Sequence, residues 1–395
     1  MTATVETLPI KGAGLIALLT ALGALGQFAS SVYLPSMPAM EDALGASAAS
    51  VQLTMTAYLA AFAVMQVVYG PLADRFGRRP VMLGGCALFV AGSLLCMAAS
   101  AIEFVILGRI VQAMGACAGA VASRAVTRDL FEGPQLSRVM AAIAMVFAAM
   151  PALAPLIGGA LQELSGWRST FAAAALFGGV VLLFVASRLR ETNRSSMHTL
   201  DFGSVWTGYK AVASSREFRS YALTVSAVMG TLFAFLTGSP AVAIGDLGLS
   251  PLEFGIYPAL SIPAFLITGG IVRKVVERTG DAPLMRLGAW LSFTGTVAML
   301  LLPVLGHWSA LGILLCMCVF VAGMGFVFSL GHAGALRHFR ERAGVAAALM
   351  GVMQLGSAAV FSGLVAAFAP FGSMAFPIAM VIGGVGAVAF SRGCR

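Results

Sequence analysis

The stretch from Gly70 to Ile102, GPLADRFGRRPVMLGGCALFVAGSLLCMAASAI, decides the fold. Its second part, residues 80–102, carries no charge, and the run before it, 43–73, is equally free of charge. A helix crosses a bilayer with roughly 20 predominantly apolar residues, so each run predicts one crossing. Asp74, Arg75, Arg78 and Arg79 between them fall in the turn at the membrane surface.

The same reading extends along the chain. Further charge-free runs cover 12–40, 139–162, 169–187, 220–245, 254–272, 287–336 and 343–391, and 104–123 is broken only by Arg109. The two longest, 287–336 and 343–391, each hold two passes, turning at Pro303–Trp308 and Ala369–Gly372. The expectation is an all-α integral membrane protein of twelve transmembrane helices. The run after Lys11 is too long for the apolar core of a signal peptide and is the first span. Of 395 residues, 59% are apolar and 10% charged, with a mean hydropathy of +0.94. Soluble domains carry about a quarter charged residues, which excludes a soluble enzyme, a disordered linker and a nucleic-acid binder. The cysteines (Cys86, Cys96, Cys117, Cys316, Cys318, Cys394) lack metal-ligand spacing and read as free thiols, mostly buried in apolar runs. No metal and no cofactor are expected.

The net charge of +8 is a matter of topology. Number the connections alternately from the N-terminus: one set takes every one of the 24 lysines and arginines except Arg168, in the other set, and Arg109, inside a span. Basic residues favour the cytoplasmic side, so both termini are expected there. The longest polar segment, 189–218, lies midway. The layout is then an N-terminal six-helix bundle (1–188), a cytoplasmic connector (189–218) and a C-terminal six-helix bundle (219–395), as in transporters built from repeats. An internal echo supports the division: Asp74-Arg75-Phe76-Gly77 follows the second span and Glu277-Arg278-Thr279-Gly280 the eighth.

Within the turn, Gly70 precedes Asp74, Gly77 permits a positive φ, and Pro80 opens the next helix without wasting a hydrogen bond. Asp74 among Arg75, Arg78 and Arg79 suits an ion pair or a helix N-terminus. The arginines alone also fit a basic loop that only sets topology. In the fifth span Pro151 and Pro155 share a face and each removes a helical hydrogen bond. Gly158 and Gly159 admit a close neighbour. A kinked, tightly packed helix is expected, although Gly and Pro are common in any membrane helix.

The eleven-residue string Gly70–Pro80 resembles the signature loop of the major facilitator superfamily. Arg109-Ile-Val-Gln112-Ala-Met-Gly115 is similar to that family's R-x-x-Q-x-x-G motif, and Pro151–Gly159 to the proline-glycine signature of its drug/proton antiporters. Tyr33-Leu34-Pro35-Ser36-Met37-Pro38 resembles the bicyclomycin/chloramphenicol resistance (Bcr/CflA-type) subgroup. The resemblance implies a two-bundle fold in a bacterial inner membrane. It also implies export of small molecules by alternating access in exchange for protons, with no enzymatic reaction.

An ionised group within a span is by default a functional candidate. Arg109 lies about a turn and a half inside the fourth span. It either extends to the outer headgroups or lines the cavity as a cation, with Gln112 on its face. In the subgroup the residue two before the Tyr33 position is an aspartate, implied to carry the coupling proton; here it is Ser31. Every acid belongs to a connection, none to the middle of a span. His332 is the nearest other titratable group, or else a packing histidine. Further lining candidates are Gln27, Tyr58, Phe147, Met150 and Phe233, and then Phe235, Tyr257, Met353 and Gln354.

A cationic cavity without an acid favours neutral or anionic cargo. Expelling one negative charge down a potential of about 100 mV, inside negative, yields about 2.3 kcal/mol, so proton coupling is not obligatory. Open alternatives are therefore a drug exporter coupled to protons, a weakly coupled or uncoupled exporter of a neutral or anionic metabolite such as a siderophore, and a receptor that moves nothing. A membrane enzyme would want clustered His, Asp or Glu, whereas His198, His307, His332 and His338 are scattered. No phosphate loop implies direct use of ATP. The expected partners are a small-molecule substrate, the bilayer and protons, with the chain as a monomer.

Overall fold

The computed structural model describes residues 12–193, 202–337, 339 and 343–394. Glu6, Lys11, Arg194, His198, Asp201, His338, Arg340, Glu341, Arg342 and Arg395 lie outside the described residues. The described chain is helical: α1 (Ala13–Ser31), α2 (Met37–Leu44), α3 (Ala48–Phe76), α4 (Arg78–Ala98), α5 (Ile102–Leu130), α6 (Gly133–Ser165), α7 (Arg168–Arg188) and α8 (Phe202–Ser214) come first. Then follow α9 (Arg216–Pro240), α10 (Pro251–Leu260), α11 (Ile262–Thr279), α12 (Asp281–Val304), α13 (Ala310–Leu336), α14 (Ala343–Ala367) and α15 (Ala375–Ser391).

By length and composition, 11 of the described helical stretches suffice to cross a membrane, or 12 when the bent α6 counts as one span. Here α1 with α2, and α10 with α11, each make one crossing. Several helices start where the sequence offers a serine cap. Ser47, Ser215, Ser250 and Ser309 each accept the backbone N–H three residues on, and Ser250 with Glu253 completes a capping box. The chain turns near both expected places: α12 runs on through Pro303 to Val304 before the break to α13, and Ala369–Gly372 falls between α14 and α15.

Two groups of helices emerge from the packing. In the first, α4 packs on α5 and α7, α5 on α3 and α1, and α1 on α6. In the second, α12 packs on α13 and α15, and α9 on α13, α14 and α15. The groups meet along two seams, α3 against α14 and α6 against α10. The α4–α5 and α12–α13 crossings are made in the same way. Backbones approach where Gly92 would put a Cβ 2.7 Å from the Gln112 Cα, and Gly295 one 2.6 Å from the Phe320 nitrogen. Large apolar side chains such as Val64, Met145, Leu176 and Leu183 point outward, a surface that only a bilayer covers.

Two features differ from the sequence reading. Helices continue past their last apolar residue, because a helix leaving the bilayer keeps its backbone bonds into the headgroups. Thus Arg124, Arg128 and Asp129, expected in a connection, sit on α5. The connector also contains α8, whose Phe202, Val205, Tyr209 and Val212 recur at helical spacing, with Val212 fully buried. Burial raises the Tyr209 hydroxyl above its ordinary range.

Candidate functional site

Call the end of the molecule holding the turns after α3, α5, α7 and α11 the near end, and the opposite one the far end. At the near end α3 stops because Gly77 takes φ 98°, and α4 begins at Arg78. Asp74 Oδ1 accepts from Arg78 Nη1 at 2.5 Å, and Arg78 Nε reaches Asp129 Oδ2 on α5 at 3.3 Å. The start of α4 is capped from far along the chain. Glu191 Oε1 accepts from the Arg78 N–H at 2.8 Å and Oε2 from the Arg79 N–H at 3.0 Å, which places a carboxylate on a helix N-terminus. A Cβ on Gly77 would meet the Glu191 carboxyl carbon at 2.9 Å, so glycine is required there twice over. Asn193 Nδ2 donates to Asp74 O at 2.7 Å, Thr192 Oγ1 to Asp129 Oδ2 at 3.0 Å, and Arg79 Nη2 to Ala186 O at 2.8 Å. Arg75 is exposed and lies over the Phe76 ring, and Gly70 faces open space. Sequence reading placed Glu191, Thr192 and Asn193 in the polar connector 189–218 and gave them no role at this turn.

The echo of this turn is realised at Gly280, where φ is 78° between α11 and α12. There Asp281, opening α12, pairs with Arg337 beyond the end of α13. The same tie recurs with its charges exchanged: Arg78 at the start of α4 to Asp129 on α5, Asp281 at the start of α12 to Arg337 after α13.

Within α5, toward its far-end start, Arg109 is 0% exposed. Its Nη1 donates to Ala29 O at 2.8 Å and to Gln112 Oε1 at 2.6 Å. The guanidinium carbon sits 4.3 Å from the Tyr33 ring centroid and 4.0 Å from that of Tyr58. Gln112 Nε2 donates onward to Ser93 Oγ at 2.7 Å. The tyrosines are themselves held: Tyr33 to Thr54 at 3.0 Å, and Tyr58 donating to Gly26 O at 2.8 Å. Four helices, α1, α3, α4 and α5, thus converge on one cation whose charge is met by π faces and oxygen dipoles. Nε and Nη2 find no hydrogen-bond partner and face no solvent. In this state the guanidinium reaches neither the far-end surface nor a cavity. Ser31 is buried, bonds only with Ser30 among the described residues, and Ser30 also meets Gln27.

At the far end the groups close on one another. Two adjacent glycines of α6 serve different neighbours: a Cβ on Gly158 would lie 2.7 Å from the Val32 carbonyl carbon, just beyond α1, and one on Gly159 the same distance from the Leu252 Cα of α10. Gly255 of α10 returns the contact, 2.8 Å from the Leu156 Cα. Glu163 Oε1 accepts from the Leu252 N–H at 3.0 Å, docking α6 onto the start of α10. The bend in α6 is 43° between Gly133–Phe147 and Ala149–Ser165, where Pro151 leaves the residue 147 carbonyl unbonded. Pro155 packs its carbonyl beneath Gly255. Along the other seam Ser362 of α14 bonds Thr56 of α3 and Thr237 of α9, both at 3.0 Å.

Among the remaining lining candidates, Phe235 is buried edge-on to Phe376, Phe233 is buried, and Phe147, Met150, Tyr257 and Met353 are half-buried. His332 is exposed, yet its ring bonds Gln354 at 3.2 Å and faces Arg124 of α5 rather than lipid. No group of three or more potential metal ligands occurs among the described residues.

Stacked apolar spans, tied at both ends and crossed by a buried cation, define a multi-pass membrane protein of the transporter kind. The sequence profile of the Major Facilitator Superfamily matches residues 19–362, and the chain belongs to that family. It is 32% identical over 349 residues to a chloramphenicol resistance protein of Pseudomonas aeruginosa, covering 87% of this chain and 82% of that one. Against multidrug resistance protein D of Escherichia coli it is 29% identical over 375 residues, covering 95% and 94%. A bicyclomycin resistance protein homolog of Haemophilus influenzae is 28% identical over 87% of each chain, in keeping with the Bcr/CflA-type subgroup. In fold it matches the partially occluded, inward-open xylose transporter XylE of E. coli with a TM-score of 0.74, at 13% identity, over 96% and 95% of the two chains.

Proposed function

We propose that this chain exports small molecules from a bacterial cytoplasm across the inner membrane by alternating access. In this reading residues 1–188 and 219–395 form two six-helix bundles joined by 189–218, twelve spans in all, and both termini and the near end are cytoplasmic. One observation carries it. The bundles are sealed at the far end by Gly159, Gly255 and the Glu163–Leu252 bond. At the near end α5 and α13 are not a packed pair, and His332 stays exposed. A sealed far end and a cleft at the near end fit a state that receives cargo from the cytoplasm. The resistance proteins it resembles favour drug-like cargo. The test is uptake of chloramphenicol into inverted vesicles, comparing the chain with empty membranes. No accumulation under either a pH gradient or a voltage refutes the exporter reading.

On coupling, the enclosure of Arg109 by Tyr33 and Tyr58 supports export with little or no proton requirement. Its charge is satisfied without a carboxylate, and no mid-span carboxylate exists among the described residues to carry a proton. The rival reading uses His332, whose ring is reachable from the cleft. Uptake driven by voltage alone at constant pH supports the first, and strict dependence on a pH gradient, abolished by His332→Asn, supports the second.

A further inference from the structure

Arg124 stands two turns from the near end of α5, half-buried. Unlike Arg78 and Arg109 it makes no hydrogen bond and no ion pair with any described residue. Nor are its nitrogens sealed as Arg109 Nε and Nη2 are; they lie on the side of α5 that faces His332 of α13. There His332 Nδ1 lies 3.2 Å from Phe328 O and donates to it. That leaves Nε2 as the acceptor for Gln354 Nε2 at 3.2 Å. Gln354 keeps one N–H to spare. Arg128, a turn further on, adds a second positive charge, its Nη1 lying 3.1 Å from where a Cβ on Gly344 would stand. The described acids nearby are engaged elsewhere: Asp129 with Arg78 and Thr192, Asp74 with Arg78. Among the described residues the charged lining there is therefore net positive, and Phe328 beside His332 supplies an apolar wall.

A half-buried guanidinium without a counter-charge among the described residues is a standing demand for an anion. We propose that Arg124, with the free N–H of Gln354, is a binding site for the carboxylate of a small aromatic monoanion entering from the near end. The proposal rests on the exporter reading and narrows its cargo.

The probes are salicylate and its neutral analogue salicylamide, bound to the purified full-length chain in uncharged-lipid nanodiscs. Arg124→Gln should weaken salicylate binding about ten- to hundredfold, the worth of one hydrogen-bonded charge contact, with salicylamide binding unchanged. Arg124→Lys should retain part of the affinity, and Gln354→Leu should lose less than Arg124→Gln. Native melting of each variant shows that it is folded. Equal salicylate binding by native and Arg124→Gln protein overturns the site, as does failure of the folded native chain to prefer salicylate over salicylamide. Arg124-dependent salicylate binding without transport of any probe in vesicles would instead leave the site standing and remove the exporter reading.

Discussion

Gly158 and Gly159 are neighbours in sequence that face different partners, and this allows a sharp experiment. An alanine at 159 would put its Cβ 2.7 Å from the Leu252 Cα, and overlap Pro251 O. Carbon atoms rest about 3.5–4.0 Å apart, so α6 and α10 must part by roughly 1 Å. Overpacking of this kind costs about 1–3 kcal/mol. In the alternating-access reading the α6–α10 seam exists only while the far end is closed, so the cost falls on that state alone. It should tilt the population toward an open far end by roughly 5- to 150-fold. The assay is a distance measurement between spin labels at Leu164 and Leu305, exposed far-end positions on either group. Cys318→Ser removes the half-buried thiol, and the other cysteines are buried and escape labelling. Gly158→Ala is the control. Its clash with Val32 is internal to the first helix group, present in every state, so it should lower melting without shifting the distances. An unchanged distance distribution in Gly159→Ala, or an equal shift in both variants, refutes the reasoning.

Arg109→Ala strips Ala29 O and Gln112 Oε1 of their donor and opens a void between two tyrosines. It should destabilise the chain by at least about 3 kcal/mol, seen as lower melting in detergent. Arg109→Lys should recover only part of this, since an ammonium cannot lie flat between the rings. Glu191→Ala uncaps α4 and should cost about 1–2 kcal/mol, with faster hydrogen exchange at the Arg78 and Arg79 amides as the readout. Burial pushes the Cys394 thiol up to about 11, so the neutral thiol persists across the physiological range. A water-soluble maleimide should leave Cys394 unlabelled at pH 7, and labelling should appear only as pH approaches that value or on denaturation.

The spans were legible in the sequence because a charge inside hydrocarbon is costly, so charge-free runs mark them. The family was legible in the Gly70–Pro80 string. Helix ends were not, since an arginine can ride on a helix beyond its apolar run, and this hid Arg124 in a connection. Tyr33, Tyr58, Arg109 and Gln112 could each be singled out, but their meeting depends on the crossing of α1, α3 and α5, which no local pattern encodes. The Glu191 cap joins residues more than a hundred positions apart. Likewise the opposite duties of Gly158 and Gly159 follow from a rotation of about 100° between successive residues, visible only once their partners are in place.

The exchanged charges at the two turns carry a consequence of their own. If what Arg78–Asp129 and Asp281–Arg337 have in common is the joint and not its polarity, then inverting either pair together should restore what inverting one member destroys. A duplicated half is free to wander in sign as long as both members wander in step. The repeat is therefore better traced through which positions touch than through which letters match.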